Sequence, residues 1–213
     1  MLIKNINYAT IWSPKAFSND SLPKLNSIWS SVQSQLPKNI YNFTIHYVNN
    51  TLSTRKNLAK WKISSTADCS FCLFPETLLH VVAGCQTYLT QGRFTWRHDS
   101  ILHFLAKSLQ VVKGIALYAD IPKFKSPSII TGESLRPDLL ITSSDNCLYV
   151  LELSVSFESN LKNNLSRKKE KYKELTKVLH SQFKKVTFVN LAISALGVFA
   201  SESSALLNML TEF

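Results

Sequence analysis

RPDLLITSSDNCLYVLELSVSF, residues 136–157, is the stretch whose reading decides the fold. Two apolar runs, Leu139 to Thr142 and Leu148 to Phe157, flank the polar segment Ser143-Ser144-Asp145-Asn146, which is the pattern of a β-hairpin. A turn centred on Asp145 places Asp138 directly across from Glu152. Opposed carboxylates repel each other and destabilise a sheet, so the pairing calls for compensation. A divalent cation supplies it, because hard cations take carboxylate oxygens.

Working outward, the chain of 213 residues is long enough for one substantial domain with an appended module. Hydrophobic residues make up 45%, enough to build a packed core and exclude wholesale disorder. No apolar run reaches the ~18 residues of a membrane span, so no membrane partner is expected. The N-terminal MLIKNINYATIW lacks the pattern of a secretory signal, so the four cysteines are expected as thiols or metal ligands rather than disulfides. A formal net charge of +10 points to a polyanionic partner, nucleic acid first. The charge is concentrated between Leu161 and Lys185, where nine lysines and arginines face only Glu170 and Glu174.

The order of elements follows from periodicity. Residues 1–24 read as an irregular lead-in, and Leu25 to Leu36 as a helix ending before Pro37. Ile40, Phe43 and Tyr47 mark a second helix. The segment TRKNLAKWK carries Arg55, Lys56 and Lys60 around Trp61, which either stacks on a base or joins the core. A helix is expected from Thr77 to Ala83, another from Trp96 to Leu109, a strand from Val111 to Tyr118, and a loop from Ile121 to Gly132. After the hairpin come a long basic helix, about Leu165 to Gln182, a strand from Val186 to Ile193, and a closing helix from Ser203 to Leu210. The result is a three-stranded meander, one helix and a returning strand, an α/β (α+β) mixed sheet flanked by helices.

Two groups of residues carry chemistry. Cys69, Cys72, His80 and Cys85 form a Cys-x2-Cys-x7-His-x4-Cys set, the ligand chemistry of a closed, structural zinc site. Asp138 and Glu152, with a lysine near them, suit metal-assisted phosphodiester hydrolysis, in which the lysine positions water or neutralises developing charge. The usual shape places that lysine two residues after the second acid, where Ser154 stands here, so the basic helix must supply it. His46, His98 and His103 read as surface or satisfied core histidines, Cys147 as a small buried side chain, Glu133 as a loop carboxylate, and Asp120 and Glu158 as structural or solvated.

CSFC…H…C, then WRHDS at 96–100, then RPD…LELSVSFE, then RKKEKY at 167–172 resembles the C-terminal region of reverse transcriptases of non-LTR retrotransposons with a restriction-like endonuclease. The resemblance covers roughly residues 38–213. It implies a helical linker over 1–68, a CCHC zinc knuckle over 69–92 and a PD-(D/E)xK endonuclease over 93–213. It also implies Mg²⁺ on Asp138 and Glu152, Lys168 as the catalytic lysine, and Lys171 and Tyr172 in support. Arg55, Lys56, Lys60, Arg136, Arg167 and Lys169 are the expected nucleic-acid contacts. A DNA target, with RNA template as a further partner, and a nuclear location follow from the same resemblance.

No Tyr-x-Asp-Asp polymerase turn occurs, so the sequence reads as a polymerase-less part of such a protein. The leading expectation is a Mg²⁺-dependent DNA endonuclease that nicks its target for target-primed reverse transcription. The alternative is a non-catalytic nucleic-acid-binding module with the same fold. A zinc-stabilised interaction domain without nucleic acid sits poorly with the charge.

Overall fold

The computed structural model describes residues 35–133 and 135–200 together with Ser203, Ala205 and Met209. Most of the Leu25–Leu36 helix and of the closing Ser203–Leu210 helix lies outside the described residues. Two short helices, α1 (Lys38–Val48) and α2 (Arg55–Lys60), come first. Thr54 caps α2 by accepting a hydrogen bond from the Asn57 N–H at 3.3 Å. A cysteine-bearing turn follows, then a π-helical turn at His80–Gly84, α3 (Gln86–Thr90) and the long α4 (Arg93–Gln110).

The second half holds β1 (Ile115–Ala119), a short α5 (Ser128–Thr131), β2 (Leu139–Ser143), β3 (Cys147–Ser156), α6 (Leu161–Leu179) and β4 (Lys185–Ser194). The four strands form one mixed sheet in the order β1-β2-β3-β4. The first three are antiparallel neighbours, and β4 returns through α6 to lie parallel to β3. Parallel neighbours need such a crossover, and a helix serves as one here.

The hairpin has the register read from its turn, with Leu139 against Leu151 through Thr142 against Leu148. Its loop closes when the Asn146 N–H donates to the Ser143 carbonyl at 3.2 Å, with Asn146 in the left-handed region at φ 61°. Two expectations shift. The strand anticipated from Val111 begins only at Ile115, because α4 runs on through Gln110 and Gly114 turns the chain at φ 81°. The anticipated loop before the hairpin contains the single-turn α5.

β3 is apolar on both faces because both faces are covered. Leu139, Ile141, Tyr149, Leu151 and Leu153 pack with Leu102, Ala106 and Leu109 of α4. The alternate residues Leu140, Leu148 and Val150 meet Leu179 of α6 on the other side. Glu152 belongs by alternation to the α6 face, and it is 1% exposed. A third contact joins the halves of the chain: Tyr47 of α1 packs with Leu78 and Leu196, and its hydroxyl donates to Glu158 Oε2 at 3.1 Å. No helix among the described residues is long and apolar enough to cross a membrane.

Candidate functional site

Asp138 lies one residue beyond the last paired position of the hairpin, so its N–H is left to bond a side chain while its carbonyl accepts from the Asp120 N–H at 3.0 Å. Its N–H donates to Glu152 Oε2 at 3.1 Å, and its own Oδ2 accepts from the Leu153 N–H at 2.7 Å. The two carboxylates are thereby latched to one another's strands at the end of the ladder. Glu152 Oε1 receives the Lys168 ammonium from α6 in an ion pair. Burial, and then the Asp138 charge, push the Glu152 carboxyl up, while Lys168 pulls in the opposite direction.

Lys168 reaches Glu152 because of its place on α6. Leu161, Leu165, Tyr172 and Leu179 form the buried row of that helix. Lys168 falls three residues after Leu165 and four before Tyr172, so it sits in the same row. Ser154, where the usual motif has lysine, is 6% exposed, and its hydroxyl has no partner among the described residues. The amine therefore enters from the helix and not from the strand.

Lys171 and Tyr172 do not touch either carboxylate in the same way. Tyr172 is buried, stacks on Phe188 with centroids 5.9 Å apart, and donates its hydroxyl to the Arg136 carbonyl at 3.0 Å. Burial first, and then the Glu152 charge, raise the Tyr172 hydroxyl, so it stays a neutral donor. It pins the Arg136-Pro137-Asp138 segment to α6. Lys171 Nζ donates to the same hydroxyl at 3.0 Å and lies over its ring at 4.7 Å.

One contributor escaped the sequence reading. His98 of α4, read as a surface or satisfied core residue, brings Nε2 to 3.3 Å from Asp138 Oδ2 and Nδ1 to 2.9 Å from Asp99 Oδ1. Burial alone would lower the imidazole, but the hydrogen bonds and charges of Asp138 and then Asp99 outweigh it and carry it up to about 9. A signal was present: His98 stands four residues before Leu102 on the inward stripe of α4, where a polar side chain needs a buried partner. His46 and His103 match their bland reading, His46 beside the Thr51 hydroxyl at 2.9 Å and His103 edge-on to Phe124. Asp120 lies 3.7 Å from Arg136.

The four knuckle residues converge. Their ligand atoms all lie within 4.8 Å of one another. The Cys72 and Cys85 sulfurs are 3.8 Å apart, and Cys72 Sγ lies 3.3 Å from His80 Nε2. Two thiolates on a tetrahedral zinc sit about 3.8 Å apart, and a thiolate and an imidazole about 3.6 Å, from the ordinary bond lengths. The set fits zinc. It is folded locally by the Cys69 N–H donating to the Phe74 carbonyl at 2.8 Å, with Leu73 in the left-handed region at φ 61°.

The expected nucleic-acid contacts are scattered. Lys56 and Lys60 line a cavity of about 730 Å³ together with Tyr47, Thr77 and Phe157. Arg55 gives its guanidinium to Ser70 Oγ at 2.8 Å, which ties α2 to the knuckle. Arg167 and Lys169 are exposed on α6. Trp61 is 41% exposed and so is not a core residue.

Compared with known proteins, residues 7–91 match the family model described as zinc-binding in reverse transcriptase, which supports a retroelement-type protein. No curated protein matches the chain. Among solved structures it is similar to a Toscana virus cap-snatching endonuclease at 15% identity, covering 44% of this chain and 57% of that one with a TM-score of 0.33. A cap-snatching endonuclease of the Phenuiviridae aligns at 16% identity over 60% of this chain and 65% of that one, TM-score 0.37. The chain thus spans less than two thirds of either of these two structures.

Two outcomes are expected at these sites. Carefully reduced protein carries one zinc per chain by metal analysis, and Cys72→Ser loses it; reduced native protein without zinc contradicts the assignment. In protein with no other divalent cation added, the His98 imidazole titrates by NMR near 9 rather than at the ordinary 6.5. The folded protein then holds a proton that the unfolded chain releases first. The resulting stability is complete below 6.5 and disappears as the pH rises through about 9. Asp138→Asn brings the titration down, whereas native His98 titrating at 6.5 or lower contradicts the contact.

Proposed function

We propose that the chain is a divalent-metal-dependent DNA endonuclease of a retrotransposon protein, with a restriction-like PD-(D/E)xK centre and a separate structural zinc site. The observation that carries this reading is the convergence of Asp138, Glu152 and the Lys168 amine at the end of the β2–β3 ladder. A buried Glu152 beside Asp138, with Lys168 as its own ion-pair partner, is poor as a structural device, because an apolar set would stabilise the sheet more. It suits a site that exchanges that partner for a metal and a phosphate.

In this reading Asp138 and Glu152 hold Mg²⁺. A bound cation would polarise a phosphoryl oxygen and make its bound water more acidic. The Leu153 N–H fixes one Asp138 oxygen, and His98 turns toward that same oxygen, so the carboxylate has one orientation. Lys168, the ion-pair partner of Glu152, would orient the attacking water or meet the charge that builds on the phosphate. Tyr172 holds the Arg136–Asp138 segment in place through its bond to the Arg136 carbonyl. The net charge of +10 favours a nucleic acid as the bound polyanion, and the family resemblance suggests DNA. Nicking of a chromosomal target in the nucleus, so that the cut end primes reverse transcription from an RNA template, is the cellular role that the family resemblance suggests.

A supercoiled plasmid incubated with zinc-loaded protein and Mg²⁺ tests the proposal. Native protein gives nicked circles, Asp138→Ala gives none, and Lys168→Ala cuts about a hundredfold more slowly. Equal nicking by Asp138→Ala overturns the centre. No nicking by any of the three favours the non-catalytic nucleic-acid-binding module instead.

A further inference from the structure

A groove of about 550 Å³ runs between the cysteine module and the start of α4, lined in part by Tyr88, Arg93, Phe94, Trp96 and Arg97. Its cations are held against rings. The Arg93 guanidinium lies 4.2 Å over the Tyr88 ring and 6.0 Å from that of Phe71, and its Nε donates to Gln91 Oε1 at 2.9 Å. Arg97 lies 5.5 Å over Phe94 and donates to the Val82 carbonyl at 3.0 Å. The Phe71 and Tyr88 rings are 5.5 Å apart, and Tyr88 meets Phe94 at 6.5 Å. Trp96 is 73% exposed and Phe71 54% exposed, although neither position is needed to bury a core. Among the described residues, no aspartate or glutamate lines the groove.

Fixed guanidiniums beside open ring faces, with no carboxylate among them, match a ligand that alternates phosphates with flat bases. A duplex hides its base faces, so the match is to a single strand. With Gln91 Oε1 taken by Arg93, the Tyr88 hydroxyl is the one side-chain oxygen of the lining left to accept from a ribose 2′-hydroxyl. We propose that this groove binds a short unpaired stretch of DNA, with bases stacked on Trp96 and Phe71 and phosphates on Arg93 and Arg97. The site shares no side chain with Asp138, Glu152 or Lys168, so it stands whether or not the chain cuts DNA. If the cleavage centre operates, α4 links the two, because Trp96 and His98 are two residues apart on it.

Fluorescence anisotropy on the zinc-loaded full chain, without added magnesium, tests this with a labelled single-stranded DNA, the same sequence as RNA, and the matching duplex. Single-stranded DNA binds more tightly than the duplex. Trp96→Ala weakens it about tenfold, while Trp96→Phe retains most of the binding. Arg93→Ala weakens it too. Phe104→Ala, which removes an equally exposed aromatic of α4 outside the groove, changes nothing. Native affinity in Trp96→Ala, a duplex bound as tightly as the single strand, or tighter binding of the RNA overturns the proposal. So does self-association of the native chain that Trp96→Ala abolishes, since the groove would then be a surface between copies.

Discussion

The ion pair between Glu152 and Lys168 is the constraint around which the sheet and α6 are arranged. Glu152 is 1% exposed in the middle of a strand that is apolar but for Ser154 and Ser156, so water does not solvate it. Removing one member of such a pair typically costs about 3–5 kcal/mol, because the remaining charge is left buried. The Asp138 N–H and the Lys168 amine are what allow the carboxylate to stay there. α6 must therefore dock with that lysine over the end of the hairpin. Its apolar row through Leu161, Leu165, Tyr172 and Leu179 holds it in that position.

The same device appears twice. Each of the two long helices packs on one face of the sheet by an apolar stripe, and each carries one polar residue within its stripe: His98 on α4 and Lys168 on α6. Both point to the carboxylates where the hairpin ladder ends. Asp138 lies at the sheet margin and can be reached from the α4 side, while Glu152 faces α6. The site is thus assembled from local positions on four elements, and no loop has to fold over it.

Much of this was legible in the sequence. The two apolar runs flanking Ser143–Asn146 specify the hairpin, and a turn centred on Asp145 sets the register that brings Asp138 opposite Glu152. The Cys-x2-Cys…His…Cys spacing specified the knuckle cluster. What could not be read was tertiary. His98 looks unremarkable within WRHDS until α4 is laid on the sheet, and only then does its stripe meet Asp138. The support given by Tyr172 to the backbone of Arg136 likewise depends on how α6 crosses β2. Strand β1 was placed too early because Val111 and Val112 resemble strand residues, whereas the turn at Gly114 decides where the strand can begin. The exposed aromatics beside Arg93 carry no periodic signal, since they serve a surface and not a core.

The account stands or falls on whether the acidic pair takes a divalent cation. Manganese, which is visible by electron paramagnetic resonance, can be titrated into zinc-loaded protein and its free signal followed. The account predicts one manganese bound per native chain, together with loss of that binding in Asp138→Asn and in Glu152→Gln. Native-like binding by both variants, or none by the native chain, would contradict it.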